Sequence, residues 1–352
     1  MFIALEALLI ERGVISASFD ELAVATVRLP NRRRAVDLLI LIVGGLKFFI
    51  ANRFFDSQQY NDYAGEFWSY LGLFARVLNL MGWLMTVASC CHICAAHRAE
   101  KHHTFALMRA YYGDQSAATD ATLKYLTWSV RAFPWLVEVS VASCVMIPAL
   151  VFAYWQHGNV MFLALGVLNL TVKILWMFPL AGHFVGNVVI LYLLDVQLKR
   201  KIEMFNKSVT ASKSLNMAMC VKFNRIVRLT ERVNVYASYV IGVIIMIFPV
   251  FITMVVLSMQ TAQNIVFKVI VVLNAGTISA LAVALAHLAS GTFAMVLRSW
   301  TRVHSLLMAE KRIQRRWDCT LMLKAMGSAN KPITYYYFSF RPINYQTFFD
   351  VS

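Results

Sequence analysis

The sequence alternates between long apolar runs and shorter polar segments that are mostly basic. Its apolar runs lie at 35–51, 67–96, 134–155, 160–195, 236–259 and 265–297. A helix needs roughly 20 predominantly apolar residues to cross the hydrocarbon core of a bilayer, and these runs approach or exceed that length. The pattern therefore predicts six transmembrane helices. The fourth and sixth runs are longer than a bilayer requires, so we expect both helices to continue beyond it.

The chain after the sixth run divides into two segments of different character. Residues 298–331 are basic, and apolar side chains recur in them at helical spacing, which predicts an amphipathic helix outside the membrane. Residues 332–352 are aromatic, as the approach to a seventh span would be. Arg341 and Pro342 interrupt them, because a charge is costly in hydrocarbon and proline disrupts helical hydrogen bonding. We expect this segment to hold an incomplete seventh span.

Composition favours a membrane protein over a soluble one. Hydrophobic residues make up 59% of the 352-residue chain, charged residues make up 14%, and the mean hydropathy is +0.62. Soluble domains contain about a quarter charged residues. The predicted fold class is therefore an all-α, polytopic membrane helix bundle, with its single membrane domain at 35–297.

The distribution of positive charge predicts the orientation of the bundle. Of the 33 Lys and Arg residues, 27 lie in four segments, 1–34, 97–133, 196–235 and 298–331. Cytosolic segments of membrane proteins carry such an excess, so we expect all four in the cytosol, with 1–34 as an N-terminal tail. This placement also explains the net charge of +15 as a topology signal, and we expect no nucleic-acid partner.

Ionisable and amide side chains inside the predicted spans indicate where a ligand could bind. Such groups are costly in hydrocarbon and normally face the bundle interior or a watery cavity. Arg76, Lys173 and Lys268 fall in the half of the membrane away from the cytosol. Aromatic and amide residues occur at the same depth: Trp68, Tyr70, Tyr154, Trp155, Asn169, Trp176, Phe251 and Asn274.

An apolar, aromatic cavity with a few polar groups is typical of a small-molecule site. We therefore predict that these residues surround a ligand pocket that opens away from the cytosol. The alternative for each residue is structural, since Lys and Arg can reach the membrane interface and Asn can tie helices together.

Catalytic and metal-binding patterns are weak in this sequence. The stretch CCHICAAH (90–97) offers soft metal ligands, but its spacing fits no familiar zinc module. A small-residue packing face with apolar thiols is the simpler interpretation. The sequence also contains no P-loop, HExxH or GxSxG motif. We expect no enzyme activity, no metal and no cofactor.

Two stretches resemble arthropod gustatory receptors. FNRIVRLTERVNVYASYVIGVII (223–245) is similar to the cytosolic helix that leads into that family's fifth span, and NKPITYYYFSFRPINYQTFF (330–349) is similar to its approach to the seventh. The family's signature in the seventh span is Thr-Tyr followed after several apolar residues by Gln-Phe. It is absent here, because the positions after Thr334 and Tyr335 where Gln-Phe would fall hold Phe, Arg and Pro at 340–342.

The resemblance implies a chemosensory receptor of the plasma membrane that detects small molecules and acts as a ligand-gated cation channel. Its partners would be a tastant or odour-like ligand, the lipid bilayer and related receptors in a homo- or hetero-tetramer. In that family the seventh helix lines the pore, so residues 332–352 would supply only a fragment of it.

Two other classes of membrane protein remain as alternatives. A G-protein-coupled-type receptor requires the N-terminus outside the cell, against the charge distribution, and the chain lacks that class's Asp-Arg-Tyr element after the third span. A small-solute transporter would be expected to carry acidic residues at mid-membrane. Glu138 is the one acidic residue that the predicted spans offer there.

The orientation can be tested with epitope tags. We expect tags at residue 1 and within 196–235 to be cytosolic, and a tag within 156–159 to be extracellular, because of the charge asymmetry. Antibody labelling of intact and permeabilised cells distinguishes the two sides. Labelling of the residue-1 tag in intact cells would contradict the predicted orientation.

Overall fold

A computed structural model describes residues 1–24, 32–67, 73–113, 116–211, 217–261, 265–313, 316–317, 319–320, 336–337 and 341–342. The described chain is almost entirely helical. Its helices are α1 (Phe2–Glu11), α2 (Phe19–Val24), α3 (Arg32–Arg53), α4 (Gln58–Ala64), α5 (Leu73–Lys101), α6 (Ala117–Val141), α7 (Ile147–His157), α8 (Val160–Thr210), α9 (Met217–Thr261) and α10 (Ile265–Ala309). A 3-10 helix, Thr104–Tyr111, connects α5 to α6.

Three stretches of helix in the described chain are long and apolar enough to cross a membrane: Arg32–Arg53, Asn79–Lys101 and Val160–Thr210. They correspond to the first, second and fourth predicted spans. The prediction of an all-α protein with membrane-length apolar helices is therefore confirmed. The count of six spans and the orientation stay predictions.

The third predicted span differs in its boundaries from the helices of the structure. Pro134, which the sequence analysis placed at the start of that span, lies inside α6. This helix begins earlier because the side chain of Ser116 caps it, accepting a hydrogen bond from the backbone N–H of Thr119 at 3.3 Å. A π-helical turn, Ala142–Met146, then joins α6 to α7, so the two helices form one nearly continuous rod.

The C-terminal half of the chain is built on three very long helices. Helix α8 contains 51 residues, and α9 and α10 contain 45 each. At ~1.5 Å per residue, α8 is about 76 Å long, more than twice the hydrocarbon thickness of a bilayer. Helices α8 and α10, which contain the fourth and sixth apolar runs, are both longer than a bilayer requires. Beyond α10, Tyr336–Tyr337 (β1) pairs antiparallel with Arg341–Pro342 (β2).

Two hydrophobic clusters define two ends of the bundle. One joins α1, α2, the 3-10 helix, the C-terminal parts of α5, α8 and α10 and the N-terminal part of α9; we call this the basic end. The other joins parts of α3, α5 and α7 with the N-terminal half of α8, and α4 packs beside it; we call this the α4 end. Helix α8 runs through both clusters and connects the two ends.

The N-terminal segment is part of the packed bundle at the basic end. Phe2 of α1 stacks on Phe19 of α2 and on Tyr111 of the 3-10 helix, with ring centroids 5.6 and 5.1 Å apart. The buried carboxylate of Glu6 accepts hydrogen bonds from the backbone of Phe19 and from the hydroxyl of Tyr112. The described residues of the predicted N-terminal tail, 1–34, thus form a cap over the start of α3 and the end of α5.

A buried ion pair fixes this cap to the bundle. The guanidinium of Arg34 lies 3.1 and 2.9 Å from the two carboxylate oxygens of Glu100, and it also donates to the carbonyls of Gly13 and Val14. Glu100 in turn accepts from the backbone N–H of Ser16 at 2.8 Å. Because Arg can donate several hydrogen bonds from one planar group, Arg34 holds α3, α5 and the turn after α1 together.

We predict opposite effects for two alanine substitutions four positions apart on α8. A Cβ at Gly186 would lie 2.5 Å from Cγ2 of the buried Val14, whereas a Cβ at Gly182 meets no atom within 4 Å. Gly186→Ala should destabilise the protein by about 1–3 kcal/mol through overpacking. Gly182→Ala should be neutral or stabilise by up to about 1 kcal/mol, because alanine is the better helix former. Thermal unfolding in detergent measures both, and recovery in Gly186→Ala/Val14→Ala would assign the effect to this contact.

Candidate functional site

The structure brings together three of the predicted pocket residues on one face of α8. Asn169, Lys173 and Trp176 are spaced by four and three residues, so they follow each other along the helix on the same side. All three are buried. Asn169 and Lys173 contact the segment after α4, and Trp176 contacts α3 and α5.

Lys173 forms an ion pair with Glu66 inside the protein. The Nζ atom lies 2.9 Å from Oε2 of Glu66, and each side chain is only 2% exposed. The ammonium group also lies 5.0 Å from the ring centroid of Phe67 and 5.7 Å from that of Phe48, which is within the range of cation–π attraction. The charge is therefore stabilised by a carboxylate and two aromatic faces.

Asn169 holds the turn that carries Glu66. Its side-chain amide donates to the carbonyl of Gly65 at 2.9 Å. Gly65 has a left-handed φ of 61°, and a Cβ there would lie 2.5 Å from the backbone of Leu165. Glycine is therefore required for both the conformation and the close approach to α8. The adjacent Glu66 is thereby positioned against Lys173.

Trp176 joins α8 to α3 and α5 below this pair. Its indole N–H donates to the hydroxyl of Thr86 at 3.0 Å, and its ring packs on Phe48 with the centroids 4.6 Å apart. The ring fits because α3 carries Gly44 at this contact, where a Cβ would lie 2.1 Å from the indole. Trp176 is thus a packed, hydrogen-bonded core residue.

A cavity of about 530 Å³ opens beside this cluster at the α4 end; we call it the α4 cavity. Polar side chains from α4 and the residue before α8 meet apolar side chains of the first turns of α8. The lining residues are Gln58, Gln59, Asp62, Tyr63, Asn159, Met161, Phe162 and Leu165. Its size and its mixture of apolar surface with a few polar groups are those of small-molecule sites.

The α4 cavity and the buried ion pair share the same two elements. Phe162 lines the cavity and is itself buried in the hydrophobic cluster of the α4 end. One turn later on α8, Gly166 packs against the Gly65 turn that precedes Glu66. Leu165, between them, both lines the cavity and contacts the Gly65 turn, so the cavity adjoins the contact that positions Glu66 against Lys173.

The remaining predicted pocket residues divide into two groups. Trp68 and Tyr70 lie outside the described residues, as do the side chains of Phe251, Lys268 and Asn274, whose backbones belong to α9 and α10. Arg76, Tyr154 and Trp155 are described. Arg76 is exposed and pairs with Asp56 at 3.3 Å, Tyr154 is half-buried, and Trp155 is 84% exposed.

Two residues that complete the polar cluster, Glu66 and Thr86, are not among the predicted pocket residues. Glu66 is the ion-pair partner of Lys173, and the Thr86 hydroxyl accepts a hydrogen bond from Trp176. The sequence does contain a signal for this pair. A lysine inside an apolar helix needs a counter-charge, and Glu66 is an acidic residue directly before the second apolar run.

The Cys and His residues of 90–97 are distributed around α5. His92 is fully buried and stacks on Phe184 with ring centroids 5.8 Å apart, whereas Cys94 is exposed. Among the residues that the structure describes, no group of three or more His, Cys, Asp or Glu side chains is placed to hold a metal ion. This stretch serves as a packing surface in the described chain.

Comparisons of this chain with models of known protein families, with curated proteins and with solved structures found no match.

The Lys173–Glu66 pair makes a testable prediction about stability. Lys173→Leu removes the ion-pair partner of the buried Glu66 carboxylate and should lower the free energy of unfolding by about 3–5 kcal/mol. Lys173→Leu/Glu66→Leu removes both charges and should recover most of that loss. Thermal unfolding of the purified protein in detergent measures the change.

An exposed ion pair provides the matched control. Arg76→Leu breaks the contact with Asp56, whose side chain is 80% exposed, and should cost less than about 1 kcal/mol. A double variant no more stable than Lys173→Leu alone would contradict the assigned pairing.

Proposed function

We propose that this protein is a chemosensory receptor of the gustatory type, a ligand-gated cation channel of the plasma membrane that detects small molecules. In this proposal α3, α5, the α6–α7 rod, α8, α9 and α10 are the six spans. The basic end faces the cytosol, and the α4 cavity faces outward. The charge distribution and the two stretches that resemble gustatory receptors support this arrangement.

The observation that carries the proposal is the position of the α4 cavity on α8. The cavity lies at the first turns of this helix, directly above the ion pair that ties it to the segment after α4. The same helix runs without a break to the basic end, where it packs against α9 and α10. A ligand that shifts the first turns of α8 would thus act on helices about 50 Å or more away along its axis.

The chemistry of the α4 cavity indicates the kind of ligand. Three side-chain amides, from Gln58, Gln59 and Asn159, offer both donors and acceptors, and Tyr63 offers an aromatic face. A small, uncharged or weakly basic molecule with several polar groups matches this lining. Large apolar molecules would leave these amides without partners, which is unfavourable.

Electrical recording tests the proposed function. The resemblance assigns the pore to a seventh helix, and Arg341 and Pro342 interrupt the segment that resembles the approach to it. We therefore expect no ligand-evoked current from residues 1–352 expressed alone. The same chain extended by a gustatory-receptor seventh helix should give a cation current in response to members of a tastant panel. Outside-out patches are the decisive preparation, because a channel conducts there without added nucleotide or G protein.

Substitution of a residue that lines the α4 cavity tests whether the ligand that evokes the current binds there. In the extended chain, Gln59→Leu should shift the concentration for half-maximal response by about tenfold, corresponding to the loss of a buried hydrogen bond. Arg76→Leu, outside the cavity, should leave it unchanged. A ligand response that needs G protein would favour a G-protein-coupled-type receptor. Saturable solute flux without a ligand-gated current would favour a transporter.

A further inference from the structure

We infer that the basic end carries a second binding site, for a small soluble polyphosphate, in a groove between α8 and α10. The groove has a volume of about 670 Å³, which is within the range of small-molecule sites. It is separate from the α4 cavity, because the two lie near opposite ends of α8. We call it the basic groove.

Two facing helical stripes form the basic groove. The lining residues of α8 lie at positions 203, 206, 207 and 210, and those of α10 lie at positions 295, 298 and 302. Residues three or four apart lie on the same side of a helix, so each set forms one stripe. The lining residues are Glu203, Asn206, Lys207, Thr210, Ala211, Met295, Arg298 and Arg302.

The balance of charge in the basic groove favours an anion. Its lining has three cationic side chains and one carboxylate. That carboxylate, Glu203, lies 3.1 Å from Lys207. Within the part of the chain that the structure describes, Arg298 and Arg302 have no carboxylate at ion-pair distance, and both are exposed. The groove therefore presents two guanidinium groups whose donors are available to a ligand.

Neutral polar groups in the groove add to this character. Asn206 is 9% exposed and lines the groove, and its side-chain oxygen accepts no hydrogen bond from the described residues. The Thr210 hydroxyl donates to the carbonyl of Asn206 at 2.8 Å and keeps lone pairs that can accept. These groups can satisfy the hydroxyls of a phosphorylated polyol, while Arg forms bidentate contacts with phosphate.

The length of α8 bears on whether lipid headgroups or a soluble molecule supply the phosphate. Lys207 lies about 70 Å along the helix from Val160, at ~1.5 Å per residue. A bilayer with its headgroups is about 40–45 Å thick. Even at a tilt of ~40°, near the upper limit for transmembrane helices, Lys207 would lie about 54 Å from the level of Val160. This step rests on the proposed function, which places Val160 at the outer surface, and on that placement the distance along α8 favours a soluble polyphosphate over a phosphoinositide headgroup. The vesicle experiment below decides between the two sources, because Arg298 lies only about 50 Å along α10 from Ile265.

Occupation of the basic groove would tie α8 to α10. Two cationic residues of the groove belong to α10 and one to α8, so a multivalent anion between them offsets their mutual repulsion. The bound state would favour close packing of these two helices at the basic end. With the basic end in the cytosol, a placement that rests on the proposed function, the site would act as a regulator that senses a cytosolic metabolite independently of the ligand in the α4 cavity.

Binding of inositol hexakisphosphate to the full chain in detergent tests the inference. Calorimetric titration should show saturable binding to the unmodified chain. Affinity should fall about tenfold or more in Arg298→Gln and in Arg302→Gln, because each loses a charge-assisted, bidentate contact. Arg298→Lys keeps the charge and should lose less than Arg298→Gln.

Arg228→Gln is the matched control, because Arg228 is an exposed arginine of α9 outside the groove. The affinity of the Arg228→Gln variant for inositol hexakisphosphate should equal that of the unmodified chain. Elution of each variant at the same volume in size-exclusion chromatography confirms that it is folded, and a variant that elutes differently is replaced by the corresponding Lys substitution. Equal weakening by all three Gln substitutions would overturn the site, since it would show diffuse attraction by net charge.

Two further arms separate the possible sources of phosphate. Vesicles containing phosphatidylinositol bisphosphate should compete weakly with inositol hexakisphosphate, and inorganic phosphate should compete only at far higher concentration. Preference for the vesicles would overturn the assignment to a soluble ligand. No binding of inositol hexakisphosphate to the unmodified chain would overturn the inference as a whole.

Discussion

The structure depends on pairing the charges that lie inside an apolar bundle. Lys173 and Glu66 are both almost fully buried, and each would be strongly unfavourable without the other. Their pairing holds the segment after α4 against the N-terminal part of α8. The Asn169 amide and the glycine turn at Gly65 then complete the contact. The α4 cavity exists because this segment is held over the first turns of α8.

The basic end uses the same principle to close the bundle. Arg34 and Glu100 are buried together, and their hydrogen bonds reach the backbone at Gly13, Val14 and Ser16. The turn after α1 is thereby fixed to the start of α3 and the end of α5, and its Val14 packs against Gly186 in the middle of α8. The aromatic packing of Phe2 and the carboxylate of Glu6 extend this attachment to α2 and the 3-10 helix.

Helix α8 connects the two ends of the molecule. It contributes the cavity wall, the buried lysine, the packing surface for the N-terminal cap and one side of the basic groove. Consecutive turns of a helix are hydrogen-bonded to each other, and α8 continues as one helix past Pro179, which removes one such bond. In the proposed receptor, this helix would be the physical route between a ligand in the α4 cavity and an anion in the basic groove.

The sequence by itself determined the helical class, the apolar runs of membrane length and a fourth helix longer than a bilayer requires, because these follow from composition and periodicity along one helix. It also singled out Lys173, Asn169 and Trp176, since a polar or aromatic side chain in an apolar run is visible locally. Only the tertiary structure decided that Lys173 pairs with Glu66, that Trp176 packs into the space left by Gly44, and that residues 2–24 form a cap. Those contacts join residues far apart in the chain, and their energies depend on burial and distance, which no local pattern contains.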